Sequence, residues 1–161
     1  MTSFTGLGHV ALRVADMDRS IAFYTERLGL AEMLRLNYTD GSLFLVYLRI
    51  TDTQFLELFP YGVGDHTPGR DVVAINHLCL NVADIDRTIA DLTAAGVPLT
   101  RALRMGADGN RQAWIEDPDG TRIELMEMAE EALQVVALRR LRAGEGPITV
   151  TSDTPRPATF A

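Results

Sequence analysis

At 161 residues with 47% hydrophobic content, the chain is long enough for one domain with a sizeable core and too short for two large independent ones. A formal net charge of -7 argues against nucleic acid or an anionic membrane surface as partner, since either calls for clustered positive charge. No apolar run approaches the ~20 residues that span a bilayer, the start MTSFTG lacks the pattern of a signal peptide, and a single cysteine excludes an internal disulfide framework, so a cytoplasmic protein that handles a small molecule is expected.

A first strand is expected over residues 9–14, where His9, Ala11 and Arg13 alternate with Val10, Leu12 and Val14. Asp16 and Asp18 suit the start of a helix that carries Ile21, Ala22, Tyr24 and Leu28 and stops at Gly29. Strands follow at about residues 31–37, 42–50 and 54–59, with Asp40-Gly41 as a hairpin signal. Residues 61–72, rich in Gly and Pro, read as a linker in which His66 is a loop residue rather than a ligand. Beyond it come a strand from His77 to Val82, a helix with Ile89, Ala90 and Leu92 that ends near Gly96, and strands at about 99–105, 111–116 and 121–126. Their turns are Asp108-Gly109-Asn110 and Asp117-Pro118-Asp119-Gly120. Residues 129–141 resemble an amphipathic helix ended at Gly144, 145–161 form a polar tail, and the extension after Glu130 is expected to pack on a partner subunit. Cys79, Tyr47 and Trp114 read as core residues.

The two halves are one pattern used twice. The segment beginning His9-Val-Ala-Leu lies over the segment beginning His77-Leu-Cys-Leu at a shift of 68 residues, with ten identities in seventeen positions, among them Asp16/Asp84, Arg19/Arg87 and Thr25/Thr93. The expected fold is therefore α+β: two βαβββ modules, about 5–60 and 73–128, making a single domain over residues 1–128 with a curved mixed sheet, then the C-terminal helix and tail. Extending the alignment places Leu56-Glu57-Leu58 opposite Ile123-Glu124-Leu125. Alternation turns His9, Arg13, His77 and Asn81, together with Glu57 and Glu124, away from the apolar face that must bury against the helices. If that side is concave, two imidazoles and two carboxylates converge. Such a set suits one divalent ion, Zn²⁺, Ni²⁺ or Co²⁺ first and Mn²⁺ or Fe²⁺ as further fits, and leaves an octahedral ion two open positions. Arg104 and Arg111, beside the second hairpin, are candidates to bind an anionic group of a substrate.

At these residues the sequence resembles the vicinal oxygen chelate superfamily of glyoxalases, bleomycin resistance proteins and dioxygenases. The likeness runs from about Leu7 to Met126 and rests on His9-Val-Ala-Leu-Arg-Val, the helix from Asp18 to Tyr24, Leu28-Gly-Leu30, and Asp117-Pro-Asp-Gly followed by Ile123-Glu-Leu. His9, Glu57, His77 and Glu124 are most similar to the metal quartet of bacterial type I glyoxalases, and Arg13 matches a position that binds the thiol cofactor there. The resemblance implies a homodimer and a lyase or isomerase that converts a thiol hemithioacetal to a 2-hydroxyacyl thioester through a metal-stabilised enediolate, with Glu124 as base and Glu57 as ligand and second base. It leaves as alternatives an acyl-CoA epimerase, an extradiol dioxygenase, whose open coordination sphere Glu57 would crowd, and a non-catalytic binding or resistance protein.

Overall fold

The computed structural model describes residues 3–64 and 66–151. Its elements run β1 (His9–Arg13), α1 (Met17–Ala22) continued by a π-helical turn (Phe23–Arg27), β2 (Ala31–Asn37), β3 (Leu43–Arg49) and β4 (Phe55–Phe59). The second half repeats this order: β5 (Leu78–Asn81), α2 (Ile85–Ala94), β6 (Arg101–Met105), β7 (Arg111–Glu116) and β8 (Arg122–Glu127), after which comes α3 (Leu133–Arg142). The two halves form two mixed sheets of matching order, β1-β4-β3-β2 and β5-β8-β7-β6. In each, the first strand lies parallel to the last and the remaining neighbours are antiparallel. The fold is α+β, as the doubled sequence pattern requires.

Local chemistry fixes both helices in the same way. The carboxylates of Asp16 and Asp84 sit at the N-caps and accept from the backbone N–H of Arg19 and Arg87, at 3.0 and 2.9 Å, satisfying donors that the first turn leaves free. Gly29 and Gly96 then adopt φ of 74° and 75°, a left-handed conformation that ends each helical run without a Cβ clash.

One apolar cluster joins the back faces of both sheets. Val46, Leu48, Leu56 and Leu58 from the first meet Ala113, Ile115, Ile123 and Leu125 from the second, with Phe23, Tyr24, Ile85 and Leu92 from the helical segments. Because strand residues alternate, burying this face turns the other face of each sheet away from the shared core.

The modules are also tied by polar bonds at the Asp117–Gly120 turn. Asp117 accepts from the backbone N–H of Asp119 (2.9 Å) and Thr121 (2.7 Å), which shapes the turn, and its second oxygen accepts from the buried hydroxyl of Tyr24 at 2.8 Å. Burial, then the charge of Asp117, pushes the Tyr24 phenol well above its ordinary range, so it stays a donor. Asp119 accepts from Arg19 at 2.6 Å and from the backbone of Ala15 at 3.1 Å. The helix expected from residue 129 begins only at Leu133. Its entry is set by the turn of the second hairpin: Ala129 N–H donates to Asn110 Oδ1 (3.0 Å), Leu133 N–H to the Asp108 carbonyl (2.8 Å) and Gln134 to the Asp108 carboxylate (2.6 Å). The part of the expected tail from residue 152 onward lies outside the described residues. No helix among the described residues is long and apolar enough to cross a membrane.

Candidate metal centre

Strand register brings each histidine to its glutamate. In the first sheet Ala11 on β1 pairs with Glu57 on β4, and Glu57 in turn with Tyr47 on β3. His9, two residues before Ala11 and on the same face, places Nε2 3.6 Å from Glu57 Oε2. In the second sheet Cys79 pairs with Glu124, and Glu124 with Trp114. His77, two residues before Cys79, places Nε2 3.0 Å from Glu124 Oε2. Both glutamates are buried, at 5% and 7% exposure, while the side chains of His9 and His77 are 52% and 32% exposed.

The four residues do not converge within one chain: among the described residues no group of three or more His, Cys, Asp and Glu side chains could hold a metal ion. Each His–Glu pair stays on the front of its own sheet. Each chain thus carries two half-sites. Their chemistry fits a divalent cation, because a carboxylate removed from water beside a single imidazole is an incompletely compensated charge, and the nitrogen and oxygen donors are those that such ions take.

Aromatic residues flank both pairs. Both aromatic residues sit on the front faces in register with the glutamates: Trp114 is buried, as expected, whereas Tyr47, also expected in the core, is only partly buried. Hydrogen bonding to the Glu57 carboxylate raises the Tyr47 phenol above its ordinary value. Trp114 meets the His77 ring edge-on, with centroids 4.8 Å apart, and its buried Nε1 has no hydrogen-bond partner among the described residues. The guanidiniums of Arg70 and Arg101 lie over the same indole, 5.5 and 5.7 Å from its centroid. The repeat carried the signal that was missed, since Tyr47 and Trp114 stand at the shift of 67 that relates Glu57 to Glu124. Cys79 is not the buried hydrophobe expected, because the parity that exposes Glu124 to the front face does the same for its pairing partner. Desolvation of its sulfur, then the charge of Glu124, pushes the thiol up to about 12, so it is protonated at neutral pH.

The arginines divide. Arg13 lies exposed on the front of β1, its guanidinium donating to the Pro60 carbonyl at 2.8 Å and resting over the Phe59 ring. Asn81, in register with Met126, is exposed on the front of β5, and Arg104, in register with Gln112, is exposed on β6. Arg111 is a correction. Strand parity sets it with Ala113 and Ile115 on the helix side of its sheet, where it pairs with Asp86 (2.8 Å) and Glu127 (3.4 Å) and ties α2 down instead of facing a ligand. His66 packs against Gly120 of the turn, in keeping with a loop role.

Comparison with known proteins gives this geometry a context. A profile described as the Glyoxalase/Bleomycin resistance protein/Dioxygenase superfamily matches residues 6–125. A probable lactoylglutathione lyase of Vibrio cholerae is 34% identical over 74% of this chain and 88% of its own length, and the lactoylglutathione lyase of Haemophilus influenzae is 33% identical over 74% and 90%. The crystal structure of a glyoxalase family protein from Enterococcus faecalis superposes with a TM-score of 0.67 at 26% identity, covering 77% of this chain and 98% of that one. By its sequence and its paired βαβββ sheets, the chain belongs to the Glyoxalase/Bleomycin resistance protein/Dioxygenase superfamily.

Proposed function

We propose that the protein is a metal-dependent lyase or isomerase of glyoxalase type, acting in the cytoplasm on a thiol hemithioacetal, with His9, Glu57, His77 and Glu124 holding one divalent ion per complete site. The observation that carries this reading is the pair of buried glutamates at repeated positions, each facing a histidine Nε2. Relatives named lactoylglutathione lyase at about a third identity support the reaction class. Since one chain offers only half-sites, the reading includes a homodimer in which His9 and Glu57 of one copy face His77 and Glu124 of the other. The uncovered apolar side chains of β2 (Met33, Leu34, Leu36) and of the segment leading into β5 (Val72, Val73, Ile75) support an association of that kind.

When bound, the ion supplies a Lewis acid for the two neighbouring oxygens of the substrate. Glu124, removed from water and next to a single imidazole, takes the proton from the carbon beside the carbonyl and delivers it to the adjacent carbon. Glu57 lines the opposite side as a ligand and second base. Arg13, Asn81 and Arg104, exposed on the front faces, are the groups available to an anionic or amide-bearing thiol.

The test is bound-metal content followed by α-proton exchange in D₂O. One ion per His9/Glu57/His77/Glu124 set, and exchange with a glutathione hemithioacetal of methylglyoxal, are expected. Exchange with an acyl-CoA thioester instead would make the protein an epimerase, and absence of any bound ion after loading would remove the reading.

A further inference from the structure

We infer that Asn76 is a positioning residue that fixes the tautomer and orientation of His77, and that Arg122 anchors Asn76. The inference rests on the metal reading above and concerns only this chain's own residues.

His77 Nδ1 lies 2.9 Å from Asn76 Oδ1. The amide nitrogen of Asn76 is engaged elsewhere, donating to the Arg70 carbonyl at 3.2 Å, so the oxygen is the end that faces the imidazole. An amide oxygen only accepts, which requires the proton on Nδ1 and leaves Nε2 of the neutral ring with a bare lone pair. That nitrogen is the one 3.0 Å from Glu124 Oε2. Two acceptors at this separation are a donor pair of the kind a divalent cation takes. The side chain before the histidine thus sets the form a metal ligand needs, before any ion arrives.

Asn76 is itself held. Its backbone carbonyl accepts from Nε (2.8 Å) and Nη2 of Arg122, and the same guanidinium reaches the Pro68 carbonyl at 3.0 Å. Arg122 is buried on β8, two residues before Glu124. One strand therefore carries both the glutamate and the clamp on the segment that delivers the histidine, and sets the two donors relative to each other. The first module has neither part: Gly8 precedes His9, and Phe55 stands where the repeat would place Arg122.

The test is Zn²⁺ affinity of the full chain by chelator competition, in the native protein and in Asn76→Ala and Asn76→Asp, with the His77 Hδ1 resonance followed by NMR in the Zn²⁺-loaded state. Asn76 is exposed, so neither substitution threatens the core. Asn76→Ala should weaken binding by about 10- to 100-fold and expose Hδ1 to solvent exchange, while Asn76→Asp, which keeps an acceptor, should restore both. Native binding with an unchanged Asn76→Ala affinity overturns the inference and leaves the metal reading standing. Equal losses in Ala and Asp overturn it too, because the acceptor would then be irrelevant. A native protein that takes up no ion overturns both.

Discussion

The two modules began as one pattern and now do different work. Both keep the histidine, the glutamate, the capping aspartate and the helix-ending glycine. What surrounds the donors has diverged. The first half-site is open: His9 is half exposed, 3.6 Å from its glutamate, and follows a glycine. The second is built: His77 is 3.0 Å from Glu124, edge-on to Trp114, and bonded to Asn76. The turn before the last strand tells the same story. Asp117 and Asp119 bind Tyr24, Arg19 and Ala15 across the module boundary, whereas Asp52, the counterpart of Asp119, makes an exposed pair with Arg49 of its own module. The repeat keeps the histidine and the glutamate alike in both halves, while the second pair is the more closely bonded to its surroundings.

The sharpest way to break this contrast is to neutralise each glutamate. Glu124→Gln should lower turnover by about 10²- to 10⁴-fold while keeping the fold, since a positioned base contributes on that order. Glu57→Gln, on the open side, should act first on ion retention. Turnover per bound ion, measured for both variants, checks the assignment. Equal losses at full ion content would mean that the two carboxylates share proton transfer and that the built half-site has no privileged role.

A second contrast concerns docking. Tyr24 corresponds in the repeat to Leu92, which is buried without any polar partner. The Tyr24 hydroxyl is bonded to the carboxylate of Asp117, itself out of solvent. Tyr24→Phe should therefore destabilise the protein by about 1.5–3 kcal/mol, the range for a hydrogen bond to a buried charged group, read from the denaturant midpoint. Asp52→Ala, at the exposed counterpart turn, should leave the midpoint where it is. If both changes are silent, the turn positions β8 but does not hold the modules together.

How much of this was legible in the sequence follows from which interactions are local. The doubled strand and helix pattern, both N-caps and the His–Glu pairing are matters of periodicity within a few residues, and the repeat made the faces readable. How the two halves sit together is set by the common core that Leu56 and Leu58 share with Ile123 and Leu125, and no local pattern encodes it. Charge and nearness to the hairpin make Arg111 a candidate ligand residue, but parity counted from Ala113 and Ile115 sends it to the helix side. Tyr47 and Trp114 read as core where no face is assigned to them, and it is their register with the two glutamates that assigns one.

The mildest expected effect sharpens the comparison at the hairpin turns, where Asp40 and Asp108 are equivalent in the repeat. Asp40 is held below its ordinary range chiefly by hydrogen bonding from the Ser42 hydroxyl and backbone, a contact confined to its own turn. Burial raises the Asp108 carboxyl, but hydrogen bonds from Gln134 and Asn110 outweigh it and leave the group lowered. A carboxylate lowered in the folded state contributes stability that is present above its unfolded pKa, about 4, and is lost as pH falls through the folded value. For Asp108 that stability belongs to α3, which it tethers through Gln134. Acidification below about pH 4 should then increase amide exchange over residues 129–142 before the sheets respond. Asp108→Asn should flatten the pH step, because the group no longer titrates, and Asp40→Asn should leave it intact. A step that survives Asp108→Asn would place the acid-sensitive tether of α3 on another carboxylate, with Glu131, paired to Arg139 at 3.0 Å within the same segment, as the next to substitute.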